Sequence, residues 1–279
     1  MTTKDVSRKQ IFGGEDLTKH LNGFLLAQAS ILKGVTKSEE LTDRAKEMCV
    51  VLMSSVGIAI AITRLGTKDM LNESTMLTRA LLERLINYCY LMVCDEEEYE
   101  KYKAYSLQKT YRKLDRRIET SKHSLSIKYT GEINVESIPE LKKALDQFTG
   151  SKGGEKTRWT DVSLSERVTL VGEKSNADER KWLLSLLSFY EDASEALHGT
   201  FYGSTFHTGI HEPGFDRNNS EAIERGAQQK LSLLYWQMGD IIADVISLLG
   251  EKYKLKDFVE KSQENSRQTT EIMKFIMKD

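Results

Sequence analysis

Arg79, Glu83 and Asn87 recur at four-residue steps, and so do Tyr190, Ser194 and His198. On a helix a residue four places on lies nearly above the first, so each trio forms a polar row along one side of its helix. The first row can hold a guanidinium against a carboxylate. The second offers a phenol, a hydroxyl and an imidazole, the last a group that titrates near neutral pH. His198 stands in the last turn of its helix, a position that could hold a proton-transfer group. The same residues also read more plainly, as an Arg79–Glu83 bridge that sets helix register and a histidine that caps a helix end.

A second candidate surface lies at 102–118. Wound as a helix, it sets Lys109, Arg112, Lys113 and Arg116 opposite Leu107, Tyr111, Leu114 and Ile118, with Tyr102 and Tyr105 near the basic side. Basic residues interleaved with aromatics suit contact with an RNA backbone and stacking on its bases, although an ordinary solvated face has the same composition. GSKGGEKT at 150–157 imitates a phosphate-binding loop, but Glu155 stands where the last glycine is needed, so no nucleotide is expected there. His207 and His211 have the spacing of a helical metal pair, but Gly209, Pro213 and Gly214 break the helix that would give the spacing meaning. Cys49, Cys89 and Cys94 are odd in number and lack a CxxC pair. No metal or other cofactor is therefore expected.

The elements that must position these groups read as helices. The chain has 279 residues, 39% hydrophobic and 29% charged, with only two prolines, the balance of a soluble helical protein. A net charge of −2 provides no global field toward nucleic acid or membranes. The N-terminus lacks an apolar signal core, and the most apolar run, Cys49 to Ile62, is shorter than the roughly 18 to 20 residues that cross a bilayer, so it reads as a buried core helix. A cytoplasmic protein that does not associate with membranes is expected.

Periodicity places helices over Asp16–Lys33, Ser38–Leu65, Lys68–Cys94, the acidic cluster Asp95–Glu98 onward to about Ser121, Glu140–Phe148 behind Pro139, Leu164–Val171 and Glu179–His198. In the first of these, Gln28 takes a place where an apolar residue is due. Leu183, Leu186, Leu187, Tyr190, Ser194 and Leu197 are expected to face inward, and the helices carrying the two polar rows to be the most buried and to enclose them. A loop at Gly199–Asn219 precedes a long helix ending near Gly250 and a polar tail with Ile272, Phe275 and Ile276 as anchors. The expected fold is an all-α helical bundle: a core over 1–199 with a flexible arm at 123–160, then 200–279 packing on it, with no convincing strand.

TRALLERLINYCYL at Thr78–Leu91, SFYEDASEALHG at Ser188–Gly199 and the intervening Trp159-Thr-x-x-Ser163 resemble a prokaryotic domain-of-unknown-function family. Its hallmarks are an Arg-x-x-x-Glu helix and a Tyr-x-x-x-Ser-x-x-x-His-Gly helix. The family looks like part of the HEPN-like group of helical bundles, many of them metal-independent ribonucleases, toxins or phage-defence effectors. HEPN ribonucleases typically carry an arginine shortly before the catalytic histidine, where this chain has Glu191, Asp192 and Ala193. The resemblance implies a homo-oligomeric ligand-sensing or protein-interaction module of a defence or toxin system, with a protein partner. The alternative it implies is a metal-independent ribonuclease acting on RNA, with His198 as general acid or base on a ribose hydroxyl, Arg79 stabilising the developing charge, Glu83 orienting Arg79, and Tyr190 and Ser194 positioning the phosphate.

Overall fold

The computed structural model describes residues 15–68, 70–175, 177–211 and 219–277. Among these the chain is predominantly α-helical, as expected. In chain order the helices are α1 (Glu15–Val35), α2 (Asp43–Gly66), α3 (Leu71–Val93), α4 (Glu96–Arg112), α5 (Pro139–Gln147), α6 (Leu164–Glu173), α7 (Glu179–Leu197), the short α8 (Phe201–Thr205), α9 (Ser220–Tyr253) and α10 (Lys256–Met277). The chain forms two compact units, one of residues 1–92 with 164–279 and the other of residues 93–163.

In the larger unit α9 is the spine. Leu234, Tyr235, Met238, Ile241, Ile242, Val245, Ile246 and Leu249 are buried along it, and α1 packs beside them. The approach is closest at Gly239, where an added Cβ would lie 2.4 Å from the Phe24 ring. That contact accounts for a mid-helix glycine, which otherwise costs about 1 kcal/mol against alanine. The interruption at Gln28 also has a cause. Its buried amide donates to Ser262 O (3.1 Å) and Ser266 Oγ (3.0 Å) and accepts from Ser262 Oγ (2.8 Å), so it docks α10. The tail beyond 254 is therefore a packed helix, separated from α9 by Lys254 in the left-handed region (φ 60°). The side chains of Phe275 and Ile276, expected as anchors there, lie outside the described residues.

α3 is deeply buried, as expected, with Leu81, Leu82, Leu85, Ile86, Tyr88 and Cys89 wholly covered. Two other expectations change. α7 buries one narrow stripe, Trp182, Ser185, Phe189, Ala193 and Ala196, and leaves Leu184, Leu187 and Leu197 exposed. The inward face is thus rotated from the leucine-based one, because small residues rather than leucines mark where the helix comes close. The run Cys49–Ile62 is buried on one side only: Leu52, Val56, Ala59 and Ile62 are covered, whereas Val50 is 70% exposed.

The smaller unit opens with α4, whose N-cap Asp95 accepts from Glu98 N at 2.8 Å with three glutamates in the first turn, a favourable match to the helix dipole. The helix stops at Arg112 rather than near Ser121. Asp115–Glu119 (β1) instead pairs antiparallel with Ser124–Lys128 (β2), with Ile118 opposite Leu125 and Arg116 opposite Ile127. The Thr120 hydroxyl accepts from the Lys122 and His123 amides, so the hairpin turn forms without glycine or proline. Pro139 opens α5 as expected. The 150–154 loop is closed by Gly150 N to Gly154 O (2.7 Å) and by a bridge between Thr149 and Glu155.

Candidate functional site

The two polar rows meet. Arg79 Nε donates to Glu83 Oε1 at 3.1 Å along α3, and Arg79 Nη1 donates across to Ser194 Oγ on α7 at 2.8 Å. Tyr190 OH donates to the same Glu83 oxygen at 2.6 Å, and the Arg79 guanidinium lies 4.6 Å from the centre of the Tyr190 ring, a cation–π distance. Ser194 Oγ in turn donates to its own helix at Tyr190 O (2.6 Å). On the next turn of α3, Asn87 Oδ1 accepts from Arg167 of α6.

These bonds fix the chemistry available. A serine hydroxyl has one proton, and that of Ser194 is committed to a carbonyl while its oxygen accepts from Arg79. The Tyr190 proton is committed to Glu83. Burial and then the Glu83 hydrogen bond push the Tyr190 pKa up against the lowering effect of Arg79, so the phenol stays protonated. Burial opposes the charge on Arg79, but the hydrogen bond to Glu83 and the charges of Tyr190 and Glu83 outweigh it and raise the guanidinium further. The result is a cross-helix clamp with no activated nucleophile.

The clamp is not enclosed, contrary to expectation: the Arg79 and Glu83 side chains are 24% and 37% exposed. They stand in the wall of an open groove of about 510 Å³ whose other lining is Leu65, Met76, Leu77, Ala80 and Leu197 with one further acid, Glu73. His198 does not join them. It is the C-cap of α7, its backbone N–H bonding Ser194 O at 3.0 Å, and its side chain is exposed with no hydrogen bond among the described residues. The structure therefore brings together Arg79, Glu83, Tyr190 and Ser194, and not His198.

Because Glu83 remains partly hydrated, removing one member of the clamp costs less than breaking a buried ion pair. Tyr190→Phe should lower stability by about 1 kcal/mol, and Arg79→Ala by about 1 to 2 kcal/mol. Urea unfolding of the two variants beside wild type measures this; a loss near 4 kcal/mol for Arg79→Ala would restore the enclosed site.

One group of residues was not read from the sequence. Asp244 on α9 accepts from Lys181 Nζ at 2.8 Å and from Trp182 Nε1 at 2.8 Å, with Asp240 3.7 Å from the same lysine. This anchor holds α7, and with it Tyr190 and Ser194, in place. Its signal was present as two aspartates four residues apart inside an apolar helix.

The basic and aromatic set of 102–116 is largely turned inward within its own unit. Lys109 pairs with Glu155 at 2.7 Å, Arg112 binds Gln108 and Thr149, each at 2.7 Å, and Tyr105 OH donates to Thr157 O at 2.6 Å. Tyr102 meets Trp159 edge-on at 5.1 Å. Lys113 caps α4 and Arg116 lies on β1, so the set shares no single helix face. His211 Nε2 lies 2.8 Å from Thr205 Oγ1, and its ring packs against Phe201 and Tyr202. The stretch expected as loop contains α8 and a further turn at Phe206–Thr208 ending at Gly209 (φ 74°). The side chain of His207, together with Pro213 and Gly214, lies outside the described residues.

The chain belongs to DUF5677, a family of unknown function, whose model matches residues 48–215. The matched span contains all four residues of the clamp. No curated protein and no solved structure gives a match.

Proposed function

We propose that this member of the DUF5677 family is a non-catalytic interaction module whose groove between α3 and α7 takes an apolar, basic-ended segment of a partner protein. The observation that carries the proposal is the saturation of the clamp: the protons of Tyr190 and Ser194 are committed, and Arg79 is held by Glu83 and Ser194. Such a group anchors a ligand's polar end beside the apolar lining. Arg79 is outnumbered by Glu73 and Glu83 in the groove, and Glu191, Asp192 and Glu195 follow on α7. That balance favours a basic group and opposes a phosphate.

The HEPN-like resemblance of the two motif helices is the support for a setting in a prokaryotic defence or toxin system in the cytoplasm. The same resemblance supplies the ribonuclease alternative, which needs His198 beside Arg79.

The test is fluorescence anisotropy with a labelled amphipathic peptide of leucine and lysine as probe. Wild type should bind it, and Leu197→Glu, at a position 60% exposed and so tolerant of substitution, should weaken binding at least about tenfold. Equal binding by both proteins, or displacement of the peptide by single-stranded RNA, would remove the groove as its site.

A further inference from the structure

We infer that β2 is the contact edge of a two-fold dimer of this chain, in which the hairpins of two copies join into one four-stranded sheet. Taken alone the hairpin is incomplete. Arg116 and Ile118 of β1 share a face with Leu125 and Ile127 of β2, and the three apolar residues of that face are 67%, 68% and 73% exposed. A two-stranded hairpin is marginal in water, whereas three or more strands with an apolar face make a stable sheet.

The backbone bonds show which groups the hairpin leaves over. Thr120 N donates to His123 O and Tyr129 N to Leu114 O, both at 2.8 Å, one pair beyond each end of the ladder that runs from Asp115–Lys128 to Glu119–Ser124. Bonded pairs alternate along an antiparallel ladder, so Leu125 and Ile127 turn their N–H and C=O groups toward β1, and Ser124, Ser126 and Lys128 turn theirs away. Among the described residues the sheet has two strands, and every residue of β2 is exposed. The outward row is therefore open.

The order of residues along this edge selects a second copy. Antiparallel pairing of β2 with itself about Ser126 sets Ser126 against its own copy, Ser124 against Lys128, and Leu125 against Ile127. Ser126 is one of the outward residues, so the two-fold axis falls on a bonded pair and each outward N–H and C=O meets its complement. Leu125 and Ile127 then meet as close, non-bonded pairs, and the apolar face continues from Ile118 of one copy through Leu125 to Ile127 of the other. On the opposite face Lys128 has Asp115 of its own chain on one side and Ser124 of the second copy on the other, with Glu119 of that copy next in the row. No like charges oppose one another. β1 fails the same test: its outward residues are Asp115, Arg117 and Glu119, and pairing about Arg117 would set arginine against itself and aspartate against glutamate. Like charges directly opposite are destabilising, and such charge keeps natural edges unpaired. The edge without charge at its centre is thus the one complementary to itself, which an isologous interface requires.

The experiment uses the full chain. Sedimentation velocity at rising concentration should show a species of twice the 31.8 kDa chain mass. Ser126→Pro should return it to monomer, because proline removes an outward N–H and leaves the bonds to β1 in place. Ser126→Glu, which opposes two carboxylates at the axis, should do the same. Arg117→Pro, which alters the outer edge of β1, should leave the dimer intact. In a Cys49→Ser/Cys94→Ser background, Ser126→Cys should cross-link to itself under mild oxidation, and Glu119→Cys, on the same exposed hairpin, should not. A wild type that stays monomeric at every concentration reached overturns the inference. So does a dimer that survives both Ser126 substitutions without self-cross-linking at Ser126→Cys, or one that Arg117→Pro dissociates and Ser126→Pro does not.

Discussion

Trp182→Ala is expected to lower the unfolding free energy by about 3 to 5 kcal/mol, the range for deleting a large aromatic from a core, and the melting temperature by roughly 10 °C. Trp182 is 1% exposed and is among the largest wholly buried side chains. Its loss removes apolar burial and the indole donor to Asp244 together, and both hold α7 against α9. Since α7 carries Tyr190 and Ser194 to the clamp, the variant should also lose peptide binding at temperatures where it remains folded. Thermal and urea unfolding, read beside the anisotropy assay, check both parts; a stable variant would mean that α7 is held chiefly elsewhere.

Asp244→Ala should cost about 3 kcal/mol at neutral pH, because it strands a half-buried ammonium and a buried indole N–H together. Asp240→Asn should cost nothing or be mildly stabilising. The Lys181 pKa is raised: burial works against its charge, but Asp244 first and Asp240 second more than offset this. The Asp240 carboxyl is also raised, by burial first and by the neighbouring Asp244 charge, with Lys181 only partly compensating. The closer Asp244 is thus the lysine's principal partner. A carboxyl whose folded pKa lies above its unfolded value contributes stability at low pH and loses it as pH rises through the folded value, so ionised Asp240 is a liability at neutral pH. Urea midpoints of the two variants distinguish the aspartates; equal losses would contradict the assignment.

Much of the larger unit was legible because helical periodicity is a local property. Arg79 and Glu83 could be paired from spacing alone, whereas whether the row of Tyr190 and Ser194 faces them stayed open in the sequence, because spacing along one helix does not say which helix lies opposite. What failed was the rotation of α7. Leucines dominate an amphipathic reading, whereas Ser185, Ala193 and Ala196 are the residues that allow close packing, and the leucines at 184, 187 and 197 are left to solvent. That rotation leaves the clamp half-exposed. The hairpin was missed because Leu107, Tyr111, Leu114 and Ile118 satisfy a helical period while each strand has only five residues in which to show alternation. Gln28 was visible as an interruption, but its partners Ser262 and Ser266 lie more than 230 residues away in sequence, beyond any local pattern.

The central claim is that Arg79, Glu83, Tyr190 and Ser194 form a recognition clamp and not a catalytic centre. The most direct measurement is cleavage of structured and single-stranded RNA by the purified protein, with and without EDTA, beside His198→Ala and Arg79→Ala. Intact RNA in every lane, with peptide binding undiminished in His198→Ala, is the predicted result. EDTA-resistant cleavage by wild type that both substitutions abolish would contradict the account, because it would require His198 and Arg79 to act at one phosphate.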